Sequence, residues 1–170
     1  MNVVSFTHRA VRSLGTTELQ FAQGSLEKLG TTEWYHLARI YETSKLYLTL
    51  FSYELHHRLS CNMENHSYMS VIAADPGAVS TNILREVPNW LAQLSRVVLS
   101  LLGLLQLPST GASAVLAAAT APWDVSGRYF FGTQGLSCKS SSISYDRILS
   151  QRLWDATESV CKEVISKYTK

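Results

Sequence analysis

Tyr68-Met69-Ser70-Val71-Ile72-Ala73-Ala74-Asp75-Pro76-Gly77-Ala78-Val79-Ser80-Thr81 (68–81) is an apolar run closed by an Asp-Pro-Gly break. Tyr68 to Ala74 lacks the strict polar alternation of a half-solvated strand, so it reads as a strand covered on both faces, the mark of a parallel sheet. Proline cannot donate to a ladder and glycine admits a turn, so the strand stops there. Two further strands flank it in sequence: Asn2 to Ser5 upstream, and Arg128-Tyr129-Phe130-Phe131 as the last, opened by Ser126-Gly127 and closed by Gly132. Between and after them the spacing predicts helices. Glu33 to Leu59 carries Tyr41, Leu48, Phe51 and Leu55 at helical intervals. Asn89 to Leu105 is framed by Pro88 and Pro108, Thr110 to Ala121 is Ala-rich with Thr110 as cap, and Ser144 to Tyr168 puts Ile148, Leu149, Leu153 and Trp154 on one side. Thr7 to Thr32 is polar and glycine-punctuated, read as a long loop with one helical turn.

Strands alternating with helices predict an α/β fold with a parallel sheet, and no repeat or linker divides residues 1–170, so a single domain is expected. Ligands in such sheets sit at the carboxyl ends of the strands. Ser5, the Asp75-Pro76-Gly77 break and Gly132 all fall at such ends. With 46% hydrophobic and 16% charged residues, the 170-residue chain can bury a core. A net charge of +2 without a basic stripe argues against a nucleic-acid partner. The three cysteines form no Cys-x-x-Cys pair and are odd in number, which points to reduced thiols and an intracellular, non-secreted protein. The opening is too short an apolar run for a secretory signal, with His8, Arg9 and Arg12 close behind. The longest apolar run, Val97 to Leu107, falls short of the about 20 residues a bilayer span needs. His56, His57 and Cys61 lack a second cluster to complete a metal site, so none is expected.

The chemistry gathers at Tyr41-Glu42-Thr43-Ser44-Lys45. Residues four apart share a helix face, so Tyr41 and Lys45 point together, and a cation near a phenol stabilises its phenolate. Singly each residue reads as an ordinary rim tyrosine or solvated lysine; company changes that. Ser5 in Val-Val-Ser-Phe-Thr-His, Tyr41 and Lys45, and the Pro76-Gly77-x-Val79-x-Thr81 turn occur in one order. In that order they resemble the second half of the short-chain dehydrogenase/reductase family, most closely its retinol-dehydrogenase-like and WW-domain-oxidoreductase-like branch.

The resemblance implies a three-layer Rossmann-type parallel sheet with helices on both faces, here lacking the first strands. It implies NAD(P)-dependent hydride transfer with a lipophilic alcohol or ketone. Tyr41 would exchange the proton, Lys45 would stabilise the phenolate and hold the ribose hydroxyls, and Ser5 would hydrogen-bond the reacting oxygen. Pro76, Gly77, Val79 and Thr81 would lie beside the nicotinamide carboxamide. NADP is favoured over NAD. The family's Gly-x-x-x-Gly-x-Gly turn and its Asn-Asn-Ala-Gly element do not occur in this sequence, so the expectation is a truncated form whose 170 residues bind cofactor weakly or not at all. The apolar segment from Trp90 to Leu107 would cover substrate, fill the core, or lie against a membrane surface. The alternative reading is a non-catalytic interaction protein that makes homo- or hetero-oligomers through its half-sheet.

Overall fold

The computed structural model describes residues 1–12, 34–61, 69–80, 89–101, 105–132 and 136–169. In chain order its elements are β1 (Asn2–Val3), a 3-10 turn (Phe6–Ala10), α1 (Trp34–Cys61), β2 (Ala73–Asp75), β3 (Ala78–Val79), α2 (Asn89–Leu101), β4 (Leu105–Gln106), α3 (Pro108–Ala119), a 3-10 turn (Trp123–Val125), β5 (Tyr129–Phe131), β6 (Leu136–Cys138), a 3-10 turn (Ser142–Tyr145) and α4 (Arg147–Tyr168). They form two compact units, Met1–Phe6 with Tyr68–Ser140 and Thr7–Ser67 with Ser141–Lys170.

The first unit is built on a four-stranded sheet of order β1-β2-β5-β6. β1 and β5 both run parallel to β2, with Val3 opposite Ala74 and Asp75 opposite Phe131. The expected parallel α/β core is present, and its central strand is buried throughout, from Val71 to Asp75. Three expectations are corrected. Phe131 does not end the last strand's sheet, because β6 folds back antiparallel on β5. The helix read to Leu105 ends at Leu101, and Leu105–Gln106 instead pairs in parallel with Ala78–Val79. α3 starts at Pro108 rather than Thr110, with Leu107 at the cap position and no side-chain cap. Proline's fixed φ suits that first helical position, where its missing N–H has no intrahelical partner to lose.

α3 is small where it meets the sheet. Gly111, Ala114 and Ala118 are its buried residues, and Ala118 packs with Ile72, Ala74 and Phe130. Small side chains at three- and four-residue spacing let the helix axis approach the strands closely.

The second unit joins α1 to α4 around Val11, Leu46, Leu50 and Leu153, with Tyr47, Ile143 and Leu149 at the margin. Burying Leu46 and Leu50 fully stabilises this unit by about 1.5–3 kcal/mol each. The expected apolar stripe of α1 is displaced: Tyr41, Leu48, Phe51 and Leu55 are half-buried, whereas Leu46 and Leu50 are buried on a face they share with Thr43 and Glu54; Thr49 and Ser52 are buried on the other side of the helix, the side that carries Tyr41 and Lys45. The hydroxyls stay satisfied inside the helix. Thr49 donates to the Lys45 carbonyl at 2.8 Å and Ser52 to the Leu48 carbonyl at 2.7 Å. On α4, Asp146 caps the first turn by accepting the Leu149 N–H at 3.0 Å. Leu153 is buried as expected, while Ile148 points to solvent.

Glu54 is the costly member of this interface, at 1% exposed. Arg58 Nε donates to its Oε1 at 2.7 Å. Arg147 Nη1 lies 3.0 Å from Oε2 but out of hydrogen-bond alignment, so that contact is ionic. The Arg58 guanidinium also stacks over Trp154, which stacks in turn on Phe51 at 5.1 Å. A buried carboxylate tolerates its desolvation only while both cations remain. Replacing Arg58 and Arg147 by methionine, which keeps their apolar stems, is expected to lower unfolding free energy by about 3–5 kcal/mol. Adding Glu54→Gln to that pair should recover more than half of the loss; urea denaturation midpoints of the two variants check this.

Candidate active site

Asp75 closes β2 and organises the carboxyl-end edge of the first unit. Its side chain is 2% exposed. Oδ1 accepts the Gly77 N–H at 2.8 Å, and Oδ2 accepts the Tyr129 hydroxyl from β5 in a short hydrogen bond. The Asp75 carbonyl takes the Gly132 N–H at 3.0 Å. One residue therefore ties the turn, β5 and the loop after β5 together. Gly77 sits at φ +78°, a region a side chain reaches only with strain, so the tight reversal after Pro76 needs glycine.

β3 then carries Val79 beneath α3. A Cβ at Gly111 would stand 2.5 Å from Val79 Cγ2, so α3 fits against β3 only because residue 111 has no side chain. Gln106 on β4 lies against Gly77, with its Nε2 3.2 Å from where a Cβ would be. Ser5 follows Val4, whose N–H donates to the Ala74 carbonyl at 2.8 Å, which leaves Ser5 at the same edge as the turn and 8% exposed. Ser5, Pro76, Gly77 and Val79 thus share one unit and one edge; Thr81 lies outside the described residues.

Tyr41 and Lys45 belong to the second unit, on the same face of α1 and each half-buried. The Lys45 ammonium stands 5.5 Å from the Tyr41 ring centroid, within cation–π reach. Ser44, between them, donates its hydroxyl back to the Tyr41 carbonyl at 2.7 Å and is an ordinary helical serine. The arrangement supplies a phenol and a cation on one surface, the two groups an acid/base site for an alcohol oxygen requires.

Sequence reasoning missed three contributors. Tyr129 and Gly111 read as strand and helix residues and Gln106 fell between two predicted helices, yet each shapes the turn through a contact made across the fold. The one legible hint was the Asp-Pro-Gly order itself. Elsewhere, His8 is fully buried and its Nε2 accepts the Ser141 N–H at 3.2 Å, a structural role. Near the end of α1 the Cys61 thiol meets His57 Nδ1 at 3.0 Å. Among the described residues no three potential ligands gather around a metal position. Burial, and then the charge of neighbouring His57, hold the His56 imidazolium below its ordinary pKa of 6.5.

No family model matches the chain. It is similar to the polyprenol dehydrogenase of Homo sapiens, 30% identical over 135 residues that make up 78% of this chain and 39% of that protein. It is also similar to the polyprenol dehydrogenase of Danio rerio, 34% identical over 116 residues, 67% of this chain and 34% of the relative. The chain therefore spans well under half the length of these curated relatives.

Gly111→Ala is expected to destabilise the chain by about 1–3 kcal/mol through overpacking on Val79. Val79→Ala in the same chain should remove most of that penalty, a coupling readable from a double-mutant cycle by thermal denaturation. A second outcome follows from His56. Its folded pKa is depressed, so the unfolded chain takes the proton first as pH falls. The associated stability is present above pH 6.5 and is lost as pH falls through the folded value. His56→Gln should flatten that part of the stability profile between pH 7 and about pH 5.

Proposed function

We propose that this chain carries the proton-transfer half of an NAD(P)-dependent oxidoreductase of the short-chain type acting on a lipophilic alcohol of the polyprenol class. The observation that carries the reading is the Tyr41–Lys45 pair on one face of α1, with the ammonium 5.5 Å from the ring. The similarity to two proteins named polyprenol dehydrogenase supports the substrate class.

In this reading Tyr41 takes the hydroxyl proton during oxidation, or returns it to a carbonyl oxygen during reduction. Lys45, beside the Tyr41 ring, offers its ammonium donors to ribose hydroxyls. Ser5 donates to the reacting oxygen, whose charge grows in the transition state. The nicotinamide, when bound, accepts or supplies the hydride. The turn at Pro76, Gly77 and Val79 is the part of the chain that would meet the flat amide: the reversal is made by a glycine at φ +78°, so no side chain projects from residue 77. Thr81 completes that set, and NADP is the preferred form.

A second reading, a non-catalytic interaction protein, is favoured by the position of β1. It is the outer strand of the described order β1-β2-β5-β6, and the Met1 and Val3 side chains there are 48% and 40% exposed. Adjacent exposed apolar side chains of this kind are a surface that a second copy can cover.

One set of measurements on the 170-residue chain separates the two. Under the first reading, polyprenol-dependent NADPH formation, however slow in a chain expected to hold the cofactor weakly, falls by about 10²–10⁴-fold in Tyr41→Phe and is lost in Lys45→Met. Turnover indifferent to Tyr41→Phe would sink that reading. Absence of turnover, with gel filtration showing an oligomer that Val3→Asp dissolves, would establish the second.

A further inference from the structure

α2 is amphipathic in the wrong direction for a helix that serves only a core. Ala92, at 8% exposed, and half-buried Leu99 are seven residues apart and mark its inward side. Trp90, Leu94, Val97, Val98 and Leu101 are 66%, 52%, 55%, 44% and 82% exposed. At roughly 100° per residue they form one outward stripe on the opposite side of the helix. Exposed Asn89, Gln93, Arg96 and Ser100 make a polar strip along one flank. A globular helix ordinarily buries its large apolar residues and exposes its small ones.

We infer that α2 is an interfacial anchor that lays this stripe into the surface of a lipid bilayer, with Arg96 reaching anionic headgroups. Two observations select a bilayer over a protein partner. The first is charge: Arg96 is the one ionisable residue within α2 (Asn89–Leu101), so the helix itself sets no carboxylate against a negatively charged surface. The second is size. A 13-residue helix is about 20 Å long and about 10 Å wide, so one face presents on the order of 200 Å². A stable protein interface needs about 800 Å² on each side, whereas lipid accepts a narrow apolar stripe without shape complementarity. Trp90 suits the boundary between headgroups and acyl chains. No helix among the described residues is long and apolar enough to cross a membrane, so α2 lies in the interface. The anchor rests on α2 alone and stands whether or not the proposed chemistry does.

Vesicle flotation tests it without any turnover. The chain is expected to float with phosphatidylcholine vesicles, and more strongly with vesicles of phosphatidylcholine and phosphatidylserine at roughly four to one. Leu94→Glu with Leu101→Glu should reduce flotation with both by at least ~tenfold. Arg96→Gln should remove about fivefold, from the serine-lipid vesicles alone. Ile148→Glu with Ile165→Glu, the same chemistry at exposed positions of the second unit, should change nothing, and circular dichroism confirms that each variant folds. Wild type left at the bottom of both gradients overturns the inference. So does a Leu94→Glu, Leu101→Glu chain that floats like wild type, or a dimer that this variant dissolves when neither vesicle is bound.

Discussion

The first unit depends on a carboxylate that cannot reach water. Asp75 ends the central strand, and its two oxygens are committed to the Gly77 N–H and the Tyr129 hydroxyl. A buried carboxylate without such partners is costly, and with them it becomes a rigid corner. The direction of the chain after β2, the position of β5's tyrosine and the left-handed glycine are consequences of one set of hydrogen bonds. The turn beside which a nicotinamide is proposed to lie is therefore held by the core, and its geometry does not rely on the ligand.

Close approach does the rest of the work in that unit, and polar burial does it in the other. α3 reaches β3 because residue 111 has no Cβ, and it reaches β2 because alanines face alanines. In the second unit α1 meets α4 with a glutamate beside the leucines of its inner face. The two arginines around Glu54 make that face tolerable. Both devices trade side-chain bulk for alignment: the first places a turn, the second fixes the helix that presents Tyr41 and Lys45.

α2 stands apart from both. Ala92 and half-buried Leu99 face inward while Trp90, Leu94, Val97, Val98 and Leu101 face outward, so most of its described apolar surface gains little from the core of its own unit. Exposed apolar area of this kind is retained where something other than water meets it. A lipophilic alcohol and a lipid surface are chemically of one kind, which makes an interfacial helix and the proposed substrate mutually consistent.

The parallel sheet was legible from Tyr68 to Gly77 alone, because a strand buried on both faces leaves an unbroken apolar run and Pro-Gly ends it. The same-face pairing of Tyr41 and Lys45 followed from a spacing of four, and the carboxyl-end placement of Ser5 and the turn followed from the alternation of strands and helices. What the sequence could not carry was everything made by contact between distant residues. Leu105 reads as the last residue of the helix that holds Leu101, and Leu105–Gln106 becomes a strand only because Ala78–Val79 offers a ladder. Leu136–Cys138 has no pattern of its own and is a strand because β5 has a free edge. The core face of α1 was misread because Thr43 and Glu54 occupy it beside Leu46 and Leu50, and periodicity counts only apolar letters. Local spacing determines which residues share a face; which face is buried, and at what distance, is decided by the partner it meets.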